Sequence, residues 1–259
     1  MNSEKFREDF LTHFDRFQHT LATEAGDWVV KGFIDIYQNI YTISIDTKVV
    51  SKIVELMLFP VIARFAAEHD YRMVLSEYQN HYPDITFISP DDTKFALDLK
   101  STYRIDDTTV NGFTLGAFTG YFRQRHSTKN ITFPYEQYAA HYVLGIIYSR
   151  APDAVDERQV YALKDLQSIV SVVRDFDFLL QEKWCIAADR PGSGNTKNIG
   201  SVRDIAALVA GNGPFKAHGA QVFDDFWMNY LTDDMARAID SEMPYRNLKE
   251  YWQWRGRVK

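Results

Sequence analysis

Two short apolar segments, Pro83-Asp84-Ile85-Thr86-Phe87-Ile88 and Phe95-Ala96-Leu97-Asp98-Leu99-Lys100, decide the fold of this chain. Both have the composition of β-strands, and the turn-forming stretch Ser89-Pro90-Asp91-Asp92-Thr93 lies between them. The segments therefore predict a β-hairpin. Closing it places position 88 opposite 94, 86 opposite 96 and Asp84 opposite Asp98.

The side chains of this hairpin fall on two faces, because they alternate along a strand. The odd-numbered positions are uniformly apolar, so we expect that face to be the buried one. The even-numbered positions carry the carboxylates of Asp84 and Asp98 and the amine of Lys100. The other members of the even face are Thr86, Ile88, Lys94 and Ala96.

The opposed carboxylates favour a divalent cation. Directly opposed residues have Cβ atoms roughly 5 Å apart, so two carboxylates there raise each other's pKa unless a cation lies between them. Mg²⁺ prefers oxygen ligands, and it can acidify a water while polarising a phosphoryl oxygen. Lys100 can orient that water or neutralise charge on phosphorus. The pattern indicates metal-dependent phosphodiester hydrolysis. The alternative is a non-catalytic one, in which Pro83-Asp84 is an ordinary turn and Asp98-x-Lys100 a solvated strand edge.

Composition bounds the class of protein. Cys185 is the single cysteine, so no intrachain disulfide can form, and a reducing cytoplasm is the simplest location. The N-terminus lacks an apolar signal core, and the apolar run 56–63 contains Pro60 and is too short to span a bilayer. No His or Cys pair has zinc-site spacing. We expect a cytoplasmic protein that does not enter a membrane.

Net charge is the main objection to a DNA ligand. The chain has 29 Lys and Arg against 35 Asp and Glu, a net charge of −6, whereas phosphate contacts usually need a basic surface. Local concentration of basic residues can supply that surface. They are Arg123, Arg125, Lys129, Arg255, Arg257 and Lys259.

Helical patterns flank the hairpin. An apolar stripe over residues 4–21 predicts a helix, which packs either on its own domain or on a second subunit. Asp46 can cap another helix, with Pro60 as a kink or break and Glu55 off its apolar stripe. The segment from Phe133 to Arg150 predicts a helix passing into a strand.

Seven blocks of the chain, in order, carry a family resemblance. The longest are Gln79 to Asp84, Ala96 to Tyr103 and Gly192 to Ser201, and the shorter ones are Asp46 to Val49, Phe113 to Gly116, Thr128 to Ile131 and Gln137 to His141. Together they resemble the EcoRV family of type II restriction endonucleases, within the PD-(D/E)xK nuclease superfamily. The resemblance runs from about Asp46 to the end and thins through 151–178 and 202–245.

The resemblance implies an α/β (mixed α+β) fold, a restriction-endonuclease-like core in which a mixed β-sheet is flanked by helices. It implies a single domain over 1–259, with an N-terminal helical extension (1–25), a catalytic core (about 46–150) and a C-terminal DNA-recognition part (about 180–259). Asp84, Asp98 and Lys100 would be catalytic, and Asp84 and Asp98 would bind Mg²⁺. Glu55 would be an auxiliary catalytic and metal-binding residue.

Base recognition is assigned by the resemblance to two segments. The loop 192–198 would enter the major groove, where Asn195 can pair with an adenine edge and the Thr196 methyl can pack on thymine. Gln79 and Asn80 would contact the minor groove. A plain surface loop is the alternative for 192–198. The expected DNA-binding residues are Gln79, Asn80, Lys129, Gly192, Ser193, Gly194, Asn195, Thr196 and Asn198.

The resemblance also implies a reaction and its partners. A homodimer would cut double-stranded DNA at the palindrome GATATC to blunt ends, each subunit cutting one strand. A cognate DNA methyltransferase is expected in the host, without a stable complex. Two alternatives stay open: a structure-specific or repair nuclease on the same core, and a catalytically silent DNA-binding module. The intact set of Asp84, Asp98 and Lys100 disfavours the silent module.

Overall fold

A mixed β-sheet forms the centre of the fold in a computed structural model, which describes residues 3–78, 80–151, 159–192 and 196–257. The helices are α1 (Ser3–Leu11), α2 (Phe14–Leu21), α3 (Thr47–Glu68), α4 (Lys183–Ile186), α5 (Ile205–Ala210), α6 (Ala220–Asn229), α7 (Asp233–Ala238) and α8 (Leu248–Arg257). The strands are β1 (Gly32–Ile34), β2 (Asn39–Thr42), β3 (Arg72–Leu75), β4 (Ile85–Ile88), β5 (Lys94–Tyr103), β6 (Thr114–Ala117), β7 (Tyr138–Arg150), β8 (Val160–Ala162), β9 (Val173–Glu182), β10 (Ala187–Pro191) and β11 (Asn198–Ser201). Short 3₁₀ helices span Gly120–Phe122, Tyr135–Gln137 and Leu163–Ser168.

The central sheet has the strand order β3-β4-β5-β7-β9. β4 and β5 pair antiparallel with Thr86 opposite Ala96 and Ile88 opposite Lys94, which confirms the predicted hairpin register. β5 and β7 pair parallel, so the sheet is mixed, as predicted. Two smaller sheets have the orders β1-β2-β8 and β10-β11-β6.

Both faces of the hairpin are buried, so the prediction of one buried face was incomplete. The odd face, with Phe87 and Phe95, packs against α1, α2 and α3. On the even face Thr86 and Ala96 are also fully buried, because a second apolar layer that includes α6 and α8 covers them. The hydroxyl of Thr86 is satisfied there by a 2.9 Å hydrogen bond with Tyr138. Helices therefore flank the sheet on both sides.

The N-terminal stripe forms two helices rather than one. The hydroxyl of Thr12 donates to the carbonyl of Asp9 at 2.7 Å, a side-chain bond that competes with the helical ladder where α1 ends. The ring of Phe6 lies 4.6 Å from that of Phe95 and 5.2 Å from that of Tyr142. The stripe therefore packs on its own chain, which settles the alternative that the sequence left open.

Two other predicted segments come out differently in detail. Asp46 caps α3 as predicted, its carboxylate accepting from the Lys48 amide at 2.8 Å, and the helix passes Pro60 without ending. The helix predicted before β7 is only the 3₁₀ turn Tyr135–Gln137, since the run that follows is rich in strand-forming residues. Within the part of the chain that the structure describes, no helix has both the length and the apolar character needed to cross a bilayer.

Truncating Phe6 tests how far the first helix contributes to stability. Phe6 is fully buried among six other aromatic rings, so Phe6→Ala should destabilise the protein by roughly 3–5 kcal/mol in urea unfolding. Phe14→Ala, at a partly buried position on α2, is the matched control and should cost clearly less. Equal losses from the two variants would show that Phe6 is not a core anchor.

Candidate active site

The two hairpin carboxylates meet at the open end of β4 and β5. Asp84 directly precedes β4, and Asp98 lies within β5 and is 5% exposed. The Leu99 amide donates to Asp84 Oδ2 at 2.7 Å, which fixes the Asp84 carboxylate against the neighbouring strand. The register predicted from sequence therefore brings the two acids together on one strand pair.

Lys100 forms an ion pair with one of these acids. Its Nζ lies 2.6 Å from Asp98 Oδ2 and 3.3 Å from the carbonyl oxygen of Leu99. Burial would lower the pKa of Lys100, but Asp98 and Asp84 outweigh it and raise the pKa above its ordinary value. Lys100 is therefore an ammonium at neutral pH. It can donate hydrogen bonds and neutralise negative charge, but it cannot accept a proton.

The pKa of Asp84 is perturbed by burial and by the neighbouring charges. Burial, followed by repulsion from Asp98, raises its pKa to about 7. No set of three His, Cys, Asp or Glu residues capable of holding a metal occurs among the described residues. The donor set at this point is thus two carboxylates, which fits a cation such as Mg²⁺ that takes oxygen ligands and keeps several waters.

Glu55 is not brought into that carboxylate pair. It lies on α3, where its Oε1 is 2.7 Å from the Nζ of Lys52, and its side chain is 42% exposed. Glu55 lines a separate cavity of about 580 Å³ on the other side of Asp84. His81 and Asp84 line both this cavity and the main cleft.

A cleft of about 760 Å³ opens over Asp84, Asp98 and Lys100. Three of the residues predicted to bind DNA line the same cleft: Asn80, Lys129 and Asn198. Lys129 is exposed. Because Asp84 and Asp98 belong to the hairpin region and Asn198 begins β11, the cleft is lined by both the hairpin region and the C-terminal part. The shape and polarity of this cleft can accommodate an extended polar ligand.

The predicted recognition loop connects β10 and β11, which pair antiparallel. Gln79, Ser193, Gly194 and Asn195 lie outside the described residues. Gly192 and Gly200 face each other so closely that a Cβ on Gly200 would lie 2.7 Å from the Gly192 Cα. Glycine is therefore required at Gly200 by the strand contact itself.

The two other described positions of the loop differ in their surroundings. The Thr196 hydroxyl is buried and has no hydrogen-bond partner among the described residues. Asn198 lies opposite Ala117 of β6 and accepts, through its carbonyl, a 3.0 Å hydrogen bond from the Gly192 amide. The base of the loop is thus paired with β6, which also lines the cleft.

Half of the expected basic surface is engaged within the chain. Arg123 donates to the carbonyl of Tyr230, and Arg125 and Arg255 form ion pairs with acidic residues of α6. These contacts tie the three arginines to α6 and its C-terminal end, and their contribution to a DNA-binding surface stays a prediction. Arg257 is exposed at the end of α8, and Lys259 lies outside the described residues.

Sequence reasoning missed the aromatic floor of the cleft. The ring of Tyr82 stacks on Tyr121 at 5.2 Å, and Tyr135 stacks on His141 at 3.8 Å. His141 Nδ1 lies 2.9 Å from the Tyr82 hydroxyl, and burial holds the pKa of this histidine well below its usual value, as expected of a core histidine. Tyr82 was detectable only as the neighbour of Pro83.

Comparison with known proteins identifies the family of the chain. The family model described as "Restriction endonuclease EcoRV" matches residues 24–256. The chain belongs to the EcoRV family of restriction endonucleases. The type II restriction enzyme EcoRV of Escherichia coli is 36% identical over 244 residues, which cover 92% of this chain and 96% of that protein. This confirms the predicted family.

Among solved structures, the NlaIV restriction endonuclease matches with a TM-score of 0.39 and 13% identity, covering 98% of this chain and 96% of that one. A match at that score carries no information about the function of the present chain. Membership of the EcoRV family makes the protein a DNA-hydrolysing enzyme whose substrate is double-stranded DNA. Restriction endonucleases of this family generally use divalent metal ions.

The raised pKa of Asp84 predicts competition between protons and the divalent cation. Below about pH 7 the carboxyl is protonated and neutral, so cation binding and cleavage should fall as pH decreases through that value. At limiting Mg²⁺ the rate should fall about tenfold per pH unit below 7, and excess Mg²⁺ should shift the midpoint to lower pH. The measurement is the cleavage rate between pH 5.5 and 8.5 at two Mg²⁺ concentrations. A midpoint that does not move with Mg²⁺ would contradict competition at Asp84.

Proposed function

We propose that this enzyme is a Mg²⁺-dependent, site-specific deoxyribonuclease of a single restriction-endonuclease-like domain that cuts double-stranded DNA at GATATC and leaves blunt ends. The observation that carries the proposal is the meeting of Asp84, Asp98 and Lys100 in a cleft also lined by Asn80, Lys129 and Asn198. Hydrolytic groups and polar groups suited to base or phosphate contacts thus share one cavity.

In this proposal Asp84 and Asp98 hold the cation. When bound, Mg²⁺ supplies Lewis acidity toward a phosphoryl oxygen and lowers the pKa of water. The Leu99 amide keeps the Asp84 carboxylate oriented, so no reorganisation of that ligand is needed. Lys100, as an ammonium, orients the nucleophile and neutralises the negative charge that develops on the phosphorus centre.

Glu55 has a conditional role in this proposal. Its carboxylate is paired with Lys52, so it can assist at the metal site only after that contact opens. The ion pair is exposed and spans one helical turn, and pairs of this kind contribute little to stability. Opening it is therefore a small cost for a change that would add a third carboxylate near Asp84.

Base recognition is proposed for the 192–198 loop and the Gln79-Asn80 segment. The type II enzyme EcoRV, at 36% identity over most of the chain, supports GATATC as the first sequence to test. Asn195 can donate and accept at an adenine edge, and the Thr196 methyl can contact thymine. Asn80 and Asn198 line the same cleft as the carboxylates, which supports contacts from both to DNA bound there.

A homodimer is supported by an apolar row on the small sheet. Phe33, Tyr41 and Val160 lie side by side across β1, β2 and β8, and they are 54%, 45% and 55% exposed. The neighbouring Ile36 is 88% exposed. A contiguous apolar surface of this kind is typical of an interface, and a two-fold dimer matches a palindromic target.

The cellular setting follows from the same proposal. With one cysteine, which is buried, the chain has no need of an oxidising compartment, and we place the enzyme in the cytoplasm. An enzyme that cuts GATATC there requires protection of the host's own sites. A cognate DNA methyltransferase, acting separately rather than in a stable complex, would supply that protection.

Cleavage of a plasmid with one GATATC site tests the function. Wild type with Mg²⁺ should give a single linear product with blunt ends, whereas Asp98→Ala should lose cleavage by several orders of magnitude because a metal ligand is removed. Asp106→Ala, which removes an exposed loop carboxylate, is the control and should cut normally. Nicks at scattered positions would instead indicate a structure-specific or repair nuclease, and cutting at a different palindrome would refute only the target sequence.

Disrupting the apolar row tests the dimer. Wild type should have about twice the 30.1 kDa chain mass in light scattering, and Phe33→Asp should shift it toward the monomer because a charge would be buried at the interface. Ile239→Asp, at an exposed apolar position elsewhere, is the matched control and should stay dimeric. A Phe33→Asp protein that remains a dimer would rule out this sheet as the interface.

A further inference from the structure

Lys183 is a buried cation that the proposed chemistry does not use. Its side chain is 1% exposed, and its Nζ has no hydrogen-bond partner among the described residues. Burial lowers the pKa of Lys183 to about 8, so the amine is still largely protonated at neutral pH. A desolvated ammonium without a hydrogen-bonded partner is costly for the fold. An apolar side chain of similar length would be cheaper at this position, so the charge needs an explanation.

The charge is directed at the aromatic floor of the cleft. The Nζ of Lys183 lies 4.4 Å from the ring centroid of Tyr82 and 5.9 Å from that of Tyr135. At 4.4 Å an ammonium is attracted to the face of a tyrosine ring, and the attraction is larger when both groups are desolvated. Gly116, at φ +89°, lies beside this contact, in a backbone conformation that favours glycine.

The two partners of this contact belong to different parts of the site. Lys183 is the first residue of α4, which passes directly into β10 of the β10-β11 hairpin. Tyr82 is separated from Asp84 only by Pro83. Its backbone is tied to the neighbouring segment by hydrogen bonds of 3.1 Å to the Asn130 carbonyl and 2.9 Å from the Thr132 amide.

We propose that Lys183 is a positioning residue through which the β10-β11 hairpin sets the placement of Asp84, and that this link contributes to sequence discrimination. The inference rests on the proposed site-specific cleavage. The contact is already formed without DNA, so α4 holds the Lys183 ammonium against Tyr82, and Tyr82 fixes the segment that carries Asp84. DNA of the correct sequence leaves the hairpin in this position, whereas an incorrect sequence displaces the hairpin and, through Lys183 and Tyr82, shifts Asp84.

Lys183→Met separates this role from a structural one. Methionine keeps the length and removes the charge, so the unfolding midpoint should stay the same or rise. Single-turnover cleavage of the cognate duplex should fall on the order of tenfold, the scale of a desolvated cation–π contact, while cleavage of single-base variants should hardly change. The ratio of the two rates should therefore also fall on the order of tenfold. Lys216→Met, which removes an exposed lysine 5.4 Å from the Trp184 ring, is the control and should alter neither rate.

Tyr82→Leu provides the second variant. If the contact acts as a unit, the double variant Lys183→Met/Tyr82→Leu should discriminate no worse than Tyr82→Leu alone. Equal slowing of cognate and variant duplexes by Lys183→Met, unchanged discrimination, or failure of that variant to fold would each overturn the proposal. A wild type that cuts no duplex at a discrete site would contradict the proposed function, and the inference with it. Selective wild-type cleavage combined with an equally selective Lys183→Met would refute the inference alone.

Discussion

The register of β4 against β5 is the constraint on which the site depends. A slip by one residue would turn Asp98 toward the apolar layer formed by α1 and α3 and would separate it from Asp84. The register is fixed twice, by the turn between the strands and by apolar packing on both faces of the sheet. The carboxylate pair is thus held in place by a core far larger than the site itself. The free energy of packing in that core offsets the repulsion between the two carboxylates.

The chain neutralises only part of the negative charge of the carboxylate pair. Lys100 neutralises Asp98 directly, whereas Asp84, held by the Leu99 amide and largely buried, keeps a raised pKa. A divalent cation bound by both carboxylates would complete the charge balance. Lys183 adds a second buried positive charge behind the cleft, where it contacts rings instead of carboxylates.

The sequence was informative where chemistry is local and uninformative where it depends on packing. The hairpin register followed from alternation and from one turn, and the cap at Asp46 followed from side-chain type. Burial of Thr86 and Ala96 did not, because it depends on a layer brought together from several separate parts of the chain, from Tyr138 to α6 and α8. The intrachain partners of Arg123, Arg125 and Arg255 did not follow from the sequence for the same reason, since they lie on or beside α6. Nothing in the sequence marked Lys183 as buried, because a lysine next to a tryptophan forms no recognisable motif.

The packing of Phe6 has a consequence for how the enzyme comes into being during synthesis. Helix α1 is translated well before its partners, Phe95 and Tyr142, so it can pack against them only after a long further stretch of chain has been made. Until then the apolar face of the sheet lacks its cover, and long-range contacts of this kind form late. Nascent chains would therefore remain without an ordered carboxylate pair for much of translation, which delays the appearance of an active nuclease in the cell that makes it.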